Sequence, residues 1–217
     1  MGLKYLYLPS GVKAGTAYGV MPNSADADFD DFTRNSTASR IDKNGFIESV
    51  DSNAPRLDYT DGGCPSLLLE PQSTNYVAYS EDFSQSSWAK LNSTITSNTG
   101  ISPDGSQNAD NLYFNGTFNA SLRGATTTTS SNVYTFSVWI KKISANYTSN
   151  DKARIEVFGS GAVGTSLLGD ALNNAAVGEF VRYSVTTSAS TGGNSYFQFR
   201  SDEEANFEVW GAQIENQ

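Results

Sequence analysis

In Tyr134-Thr135-Phe136-Ser137-Val138-Trp139-Ile140-Lys141, the residues Tyr134, Phe136, Val138 and Ile140 occupy every second position. Successive side chains of a β-strand point to opposite faces, so this period of two places those four residues on one face of a half-buried strand. The pattern returns in Ala153-Arg154-Ile155-Glu156-Val157, Val181-Arg182-Tyr183-Ser184-Val185, Phe197-Gln198-Phe199-Arg200 and Phe207-Glu208-Val209-Trp210. Turn-rich linkers at 144–151, 188–194 and 201–206 separate these runs, which is the spacing of an antiparallel sandwich. Aromatics make up 12% of the chain beside abundant Thr, Ser, Asn and Gly, a mixture that suits pleated strands joined by tight turns. One stretch, Leu167 to Val177, could be helical, but Gly169 and the adjacent Asn173 and Asn174 argue against a long helix. No internal repeat points to a solenoid or propeller. The fold class predicted is all-β, with one sandwich domain over residues 76–217.

Residues 1–75 read differently. After an apolar start at Leu3 to Leu8, the apolar residues are too scattered for a core of their own. Ala54-Pro55-Arg56-Leu57-Asp58-Tyr59 and Gly62-Gly63-Cys64-Pro65-Ser66-Leu67-Leu68-Leu69-Glu70-Pro71 are punctuated by Pro and Gly, which favour extended or turned backbone. An extended, largely irregular N-terminal arm is expected, packing along a neighbouring subunit or the following domain.

Composition removes several functions. With 14 basic and 23 acidic residues the formal charge is −9, so a phosphate backbone meets net repulsion and nucleic acid is not an expected partner. There is no histidine, which eliminates Ser-His-Asp and Cys-His centres and the usual zinc ligand. Cys64 stands alone, so neither an internal disulfide nor a multi-thiolate site can form, and it reads as a small apolar residue near a turn. A glycosidase needs only two carboxylates roughly 5 to 10 Å apart. The adjacent acids Asp30-Asp31, Glu81-Asp82 and Glu203-Glu204 lie beside turns, however, where solvation is the simpler role, and no enzymatic activity is expected. The segment Met1 to Ser10 does not resemble a signal peptide, and no run approaches the roughly 20 apolar residues of a membrane span. No membrane insertion is expected. The sequons at Asn35, Asn92, Asn115, Asn119 and Asn146 are what a chain rich in Asn, Ser and Thr produces by chance.

Recognition of a sugar needs an aromatic surface for its apolar face and amide, carboxylate or guanidinium groups for its hydroxyls. By alternation, Trp139 leaves the core face of its strand beside Ser137 and Lys141, and Glu156, Arg182, Gln198 and Arg200 leave the core faces of theirs. If those strands neighbour one another in one sheet, the five residues form a polar strip around one large aromatic. The alternative is a solvated sheet surface with Trp139 covered by a loop or a subunit. Trp88 is expected in the core, and Trp210 beside Gly211 suggests a bulge.

The segment Asp28-Phe29-Asp30 through Phe32-Thr33-Arg34-Asn35-Ser36-Thr37-Ala38-Ser39-Arg40-Ile41, then Asn44-Gly45-Phe46-Ile47-Glu48, resembles one that recurs in bacteriophage and prophage structural proteins. So does Pro55-Arg56-Leu57-Asp58-Tyr59 with Cys64 through Asn75. Tyr79-Ser80-Glu81-Asp82-Phe83 with Trp88, and the closing Val209-Trp210-Gly211-Ala212-Gln213-Ile214-Glu215, are similar to the first and last strands of jelly-roll carbohydrate-binding modules. The resemblance implies a virion protein of a tail fibre, tail adaptor or capsid fibre, made in the host cytoplasm. It would dock on other virion proteins through residues 1–75, as a homo-oligomer such as a trimer, and offer a jelly roll to host-surface glycans. The alternative it leaves open is an architectural decoration protein whose jelly roll contacts protein. It also implies a structural calcium, with Glu81 or Asp82 and Gln213 or Glu215 at the matching positions.

Overall fold

The computed structural model describes residues 11–13, 16–18, 33–60, 65–70, 73–161 and 163–216, with two compact units, Met1–Pro71 and Gln72–Gln217. The apolar start at Leu3 to Leu8, the segment Asp28 to Phe32 and Cys64 lie outside the described residues.

The first unit contains three short antiparallel pairs: β1 (Gly11–Lys13) with β2 (Thr16–Tyr18), β3 (Ala38–Ile41) with β4 (Ile47–Val50), and β5 (Leu57–Asp58) with β6 (Ser66–Leu67). Asp42 closes the β3–β4 turn by accepting the N–H groups of Asn44 and Phe46, both at 2.8 Å. The Phe46 bond, followed by those from Asn44 and Gly45, holds the Asp42 carboxyl below the usual carboxylate range. Arginine does much of the remaining stitching. Arg34 donates to the carbonyls of Val50 (3.2 Å), Ala54 (3.0 Å) and Asp51, and Arg56, itself buried, reaches the carbonyl of Ser39 (3.2 Å) and the carboxylate of Glu70 (2.8 Å). Asp58 accepts from Ile41 N–H at 2.8 Å and so ties β5 to β3. A sequence short of apolar residues is thus locally ordered by guanidinium and carboxylate groups that satisfy backbone donors and acceptors.

The second unit is the antiparallel jelly-roll sandwich. Its strands are β7 (Ala89–Leu91), β8 (Ser93–Gly100), β9 (Ala109–Asn115), β10 (Ala120–Thr128), β11 (Tyr134–Ala145), β12 (Ala153–Phe158), β13 (Gly164–Leu167), β14 (Phe180–Thr186), β15 (Gly193–Ser201) and β16 (Glu204–Asn216). Sheet I runs β13-β12-β15-β10-β7 and sheet II runs β14-β11-β16-β9-β8. The chain repeatedly crosses from one sheet to the other. The shortest crossing is Asn92, whose left-handed backbone (φ 51°) separates β7 in sheet I from β8 in sheet II. The one α-helix among the described residues, α1 (Gly169–Asn174), is a six-residue segment, in keeping with the glycine and paired asparagines.

The alternation in β11 emerges as read: Tyr134, Phe136, Val138 and Ile140 are buried. They meet Phe197 and Phe199 of β15, Ile155 and Val157 of β12, and Leu112, Phe114, Phe207 and Ile214 in one continuous core. Trp88 joins that core at 3% exposure, its ring edge-on to Phe197 at 5.4 Å and its Nε1 donating to the Tyr79 carbonyl at 3.1 Å. Each large apolar side chain buried in this way contributes about 1.5–3 kcal/mol. The buried Asp110 belongs to the same assembly, because Oδ1 and Oδ2 accept Asn98 N–H (2.9 Å) and Phe83 N–H (2.8 Å) and pin the register break of β8 and the segment before β7 to β9.

Sheet I leaves no room over Gly124, where a Cβ would fall 2.3 Å from Phe197 Cζ. Phe197 is held between Trp88 and Phe136, so it cannot swing clear. Gly124→Ala is expected to destabilise the sandwich by about 1–3 kcal/mol through overpacking. Chemical denaturation should show the loss, and an unchanged midpoint would refute this packing.

Candidate functional site

The five residues proposed as one strip do not share a face. Trp139 (β11) and Arg182 (β14) belong to sheet II, whereas Glu156 (β12), Gln198 and Arg200 (β15) belong to sheet I. Each residue does leave the core side of its strand, as the alternation predicts. The two sheets lie back to back, however, so the outward faces point in opposite directions.

On the outer face of sheet II, Trp139 stands between Arg182 across β14 and Trp210 across β16. The bulge expected at Gly211 is present: β16 advances three residues, from Trp210 to Gln213, while β11 advances two, from Trp139 to Ser137. Gly211 takes the left-handed backbone (φ +61°) that such a bulge favours, and a Cβ there would lie 3.1 Å from Trp139 Cδ1. The polar groups of this face are largely engaged with one another. Arg182 donates to Ser137 Oγ at 2.8 Å and to Gln213 Oε1, and Lys141 pairs with Glu208 while standing 5.0 Å from the Phe180 ring. Trp210 is 6% exposed. The charged side chains of the Trp139 half are therefore engaged with neighbouring groups, while the buried Trp210 Nε1 has no hydrogen-bond partner among the described residues.

The outer face of sheet I is organised in rows across the strands. Phe158, Tyr196 and Ala125 form one row, Glu156, Gln198 and Arg123 the next, and Arg154, Arg200 and Ser121 the third. Gln198 donates to Glu156 at 2.5 Å. Arg200 makes a forked contact with Asp202, Nε and Nη2 each at 3.0 Å, and Arg154 approaches both Asp202 (3.8 Å) and Glu156 (3.9 Å). The Tyr196 ring is flanked by Phe158, with centroids 5.5 Å apart, and by the Arg123 guanidinium, 4.9 Å from the ring centre.

Beside this stack lies a shallow depression of about 260 Å³, lined by Ala125, Thr126, Thr127, Asn194 and Tyr196. It lies where β10 runs past the end of a short strand. β7 pairs with β10 at residues 121 to 123 alone, so from Gly124 onward that edge of β10 has no partner strand among the described residues. The small side chains of Ala125 and Thr127 form a floor, Tyr196 and Asn194 a wall, and Arg123 stands two residues along from Ala125 on the same face of the strand. An aromatic wall, an amide, hydroxyls and exposed strand-edge groups make a surface that can bind a flat, hydroxyl-rich molecule.

Tyr196, Asn194 and Arg123 were not foreseen. The alternation in Phe197 to Arg200, extended by one residue toward the N-terminus, places Tyr196 with Gln198 and Arg200. Nothing local marks Arg123, because Gly124 and the following threonines obscure the period of β10.

Of the residues matched to a calcium site, Asp82 and Gln213 are engaged with protein groups. Asp82 caps its own turn, accepting Ser84 N–H (3.0 Å) and Gln85 Nε2 (2.6 Å), and the Gln85 bond, followed by that from Ser84 Oγ, holds its carboxyl below the usual range. Gln213 is taken by Arg182, and Glu215 sits opposite Thr135 on the outer face of sheet II. Burial, and then the charge of Asp104, push the Glu81 carboxyl up. Among the described residues no group of three or more His, Cys, Asp or Glu side chains is placed to hold a metal ion.

No family model matches the chain, and no curated protein is similar to it in sequence. Solved structures give distant likenesses. The CBM22-1–GH10 modules of Clostridium thermocellum xylanase 10B, complexed with xylohexaose, match at a TM-score of 0.46 and 15% identity over 64% of this chain and 27% of that one. The enzymatically active domain of bacteriophage CBA120 tailspike protein 4 matches at 0.44 and 13% over 66% and 21%. The CBM22-1 xylan-binding domain of Paenibacillus barcinonensis Xyn10C matches at 0.43 and 13% over 67% and 92%. The chain spans about a quarter of the first two structures. The sandwich is defined by its own strand order and register rather than by these likenesses.

The Trp139 face carries a separate expectation. Gly211→Ala should cost about 1–2 kcal/mol for the left-handed backbone alone, and its Cβ should displace the Trp139 ring. A red-shifted tryptophan emission with a lower melting temperature is the expected result. Unchanged emission would mean that the bulge does not seat Trp139.

Proposed function

We propose that the chain is a non-catalytic glycan-binding protein of a bacteriophage particle, with its sugar site at the Tyr196 depression of sheet I. The observation that carries the binding reading is the conjunction of an unpaired stretch of β10, the Tyr196 wall and the adjacent Asn194 and Arg123. A pyranose resting on Ala125 and Thr127 would place an apolar face against Tyr196 and hydroxyls beside Asn194. The absence of catalysis is supported by the histidine-free sequence and by the state of the acids on this face. Asp202 is held by Arg200, and Glu156 by Gln198, so neither is poised as a free acid or base. The virion role is supported by the resemblance of residues 28–75 to a segment of phage structural proteins. In this reading residues 1–75 dock on other virion proteins in a homo-oligomer such as a trimer, and the sandwich faces host-surface glycans.

A second reading is favoured by the same open edge. A strand with unpaired N–H and C=O groups can accept a peptide strand from another protein, which would make the sandwich an architectural element.

A glycan array probed with the full-length protein separates the two. Tyr196→Ala is expected to lower glycan binding by tenfold or more without changing the melting temperature, whereas Trp139→Ala should leave binding intact. Binding that survives Tyr196→Ala but fails in Trp139→Ala would move the site to sheet II. No binding to any glycan, together with capture of virion proteins that Thr126→Pro abolishes, would favour the architectural reading. Immunogold labelling of purified particles tests the location, and absence of label from the particle would refute the virion assignment.

A further inference from the structure

The arginines of the sheet I face are not equivalent. Arg200 makes its forked contact with Asp202, and Arg154 lies within 4 Å of both Asp202 and Glu156. Arg123 is different. In the row Glu156–Gln198–Arg123, Gln198 occupies the middle and donates to Glu156, so the nearest carboxylate in the row is taken up two strands away. Among the described residues the Arg123 guanidinium has no ion pair and no hydrogen bond, and its contact is with the face of Tyr196 at 4.9 Å. The cation lies over the ring face, and its N–H groups are not spent on a protein acceptor among the described residues.

We propose that the saccharide bound at the Tyr196 depression carries an anionic group, and that Arg123 recognises it. This rests on the glycan-binding reading above and narrows it to a substrate class. A sugar hydroxyl can satisfy one N–H of a guanidinium, but a carboxylate or sulfate oxygen pair matches its fork and makes charge-assisted bonds. The location makes that preference matter. A chain of net charge −9 repels anionic polymers over most of its surface, whereas the sheet I face presents three guanidiniums against the two carboxylates of Glu156 and Asp202. The pairings leave the surplus positive charge on Arg123, the residue beside the depression. Arg123 therefore supplies both a local attraction and a geometric test of the ligand.

The test is binding of the full-length protein to matched oligosaccharides: uronic-acid-containing chains, the same chains after carboxyl reduction, and sulfated chains of the neutral backbone. The acidic form is expected to bind at least tenfold tighter than its carboxyl-reduced counterpart, with the advantage falling as salt rises. Arg123→Gln should erase that advantage, so that acidic and carboxyl-reduced chains bind alike, and Arg123→Lys should restore part of it. Comparison of the carboxylated and sulfated arms identifies which anion fits. Equal binding of acidic and neutral chains, or an acidic preference that survives Arg123→Gln, overturns the inference but leaves the Tyr196 site standing. Loss of all binding to neutral and acidic chains alike by the wild-type protein overturns both. Equal melting temperatures of Arg123→Gln and wild type keep a folding defect from imitating the expected result.

Discussion

The pairing of β11 with β16 is the interaction on which the sandwich depends. These are its longest strands, and they run antiparallel from Tyr134 opposite Asn216 to Ala145 opposite Ala205. Together they bring Phe136, Val138 and Ile140 alongside Phe207, Val209 and Ile214, the wall of the core that sheet I packs against. The register of one strand against the other decides what faces solvent, because a slip of one residue exchanges inner and outer sets. The bulge at Gly211 absorbs such a slip. Before it, Phe207 and Val209 point inward; after it, Ala212 and Ile214 do. Without the extra residue, one half of β16 would present Gln213 and Glu215 to the core. Segment 75–80 then runs along the same half of β16, with Tyr76 N–H bonded to Ile214 O and Ala212 N–H to Ser80 O, both at 2.9 Å.

That dependence explains how much the sequence could reveal. Alternation is a local property, and it identified β11, β12, β14, β15 and β16 because each carries a row of large apolar residues on one side. It also assigned Trp139, Glu156, Arg182, Gln198 and Arg200 to outward positions. Which outward positions share a surface depends on strand order, and strand order is set by pairings between distant residues such as Arg123 with Gln198. A chain that crosses between sheets at nearly every turn scatters sequence neighbours onto opposite faces, so the proposed strip separated into two halves. β10 was harder to see because its inward set includes Gly124 and Thr128, whose small or polar side chains break the period. Gly124 is small for a reason visible only in three dimensions, the approach of Phe197.

The first unit shows the converse. Its sparse apolar content argued against a conventional core, but composition does not reveal that an arginine can order a loop by donating to three carbonyls, as Arg34 does. Such bonds satisfy acceptors that an irregular segment would otherwise leave to water. Asp42 and Asp58 do the same for backbone donors. The order obtained in this way is local and polar, and its geometry depends on particular side chains rather than on a hydrophobic pattern.

The two outer faces of the sandwich differ in a way that bears on binding. Sheet II engages its charged side chains internally: Lys141 pairs with Glu208 and Arg182 donates to Gln213 and Ser137, while the covered Trp210 indole N–H has no hydrogen-bond partner among the described residues. A ligand there would have to displace contacts already made, and its gain would be reduced by the cost of breaking them. On sheet I the short β7 ends the hydrogen-bond ladder early, leaving β10 with an open edge beside a face that carries an aromatic wall and a guanidinium lying over its ring without an ion pair among the described residues. New contacts at that place replace water rather than protein partners. The larger aromatic therefore belongs to the more self-contained face, and the smaller one, Tyr196, to the face with polar capacity left to offer.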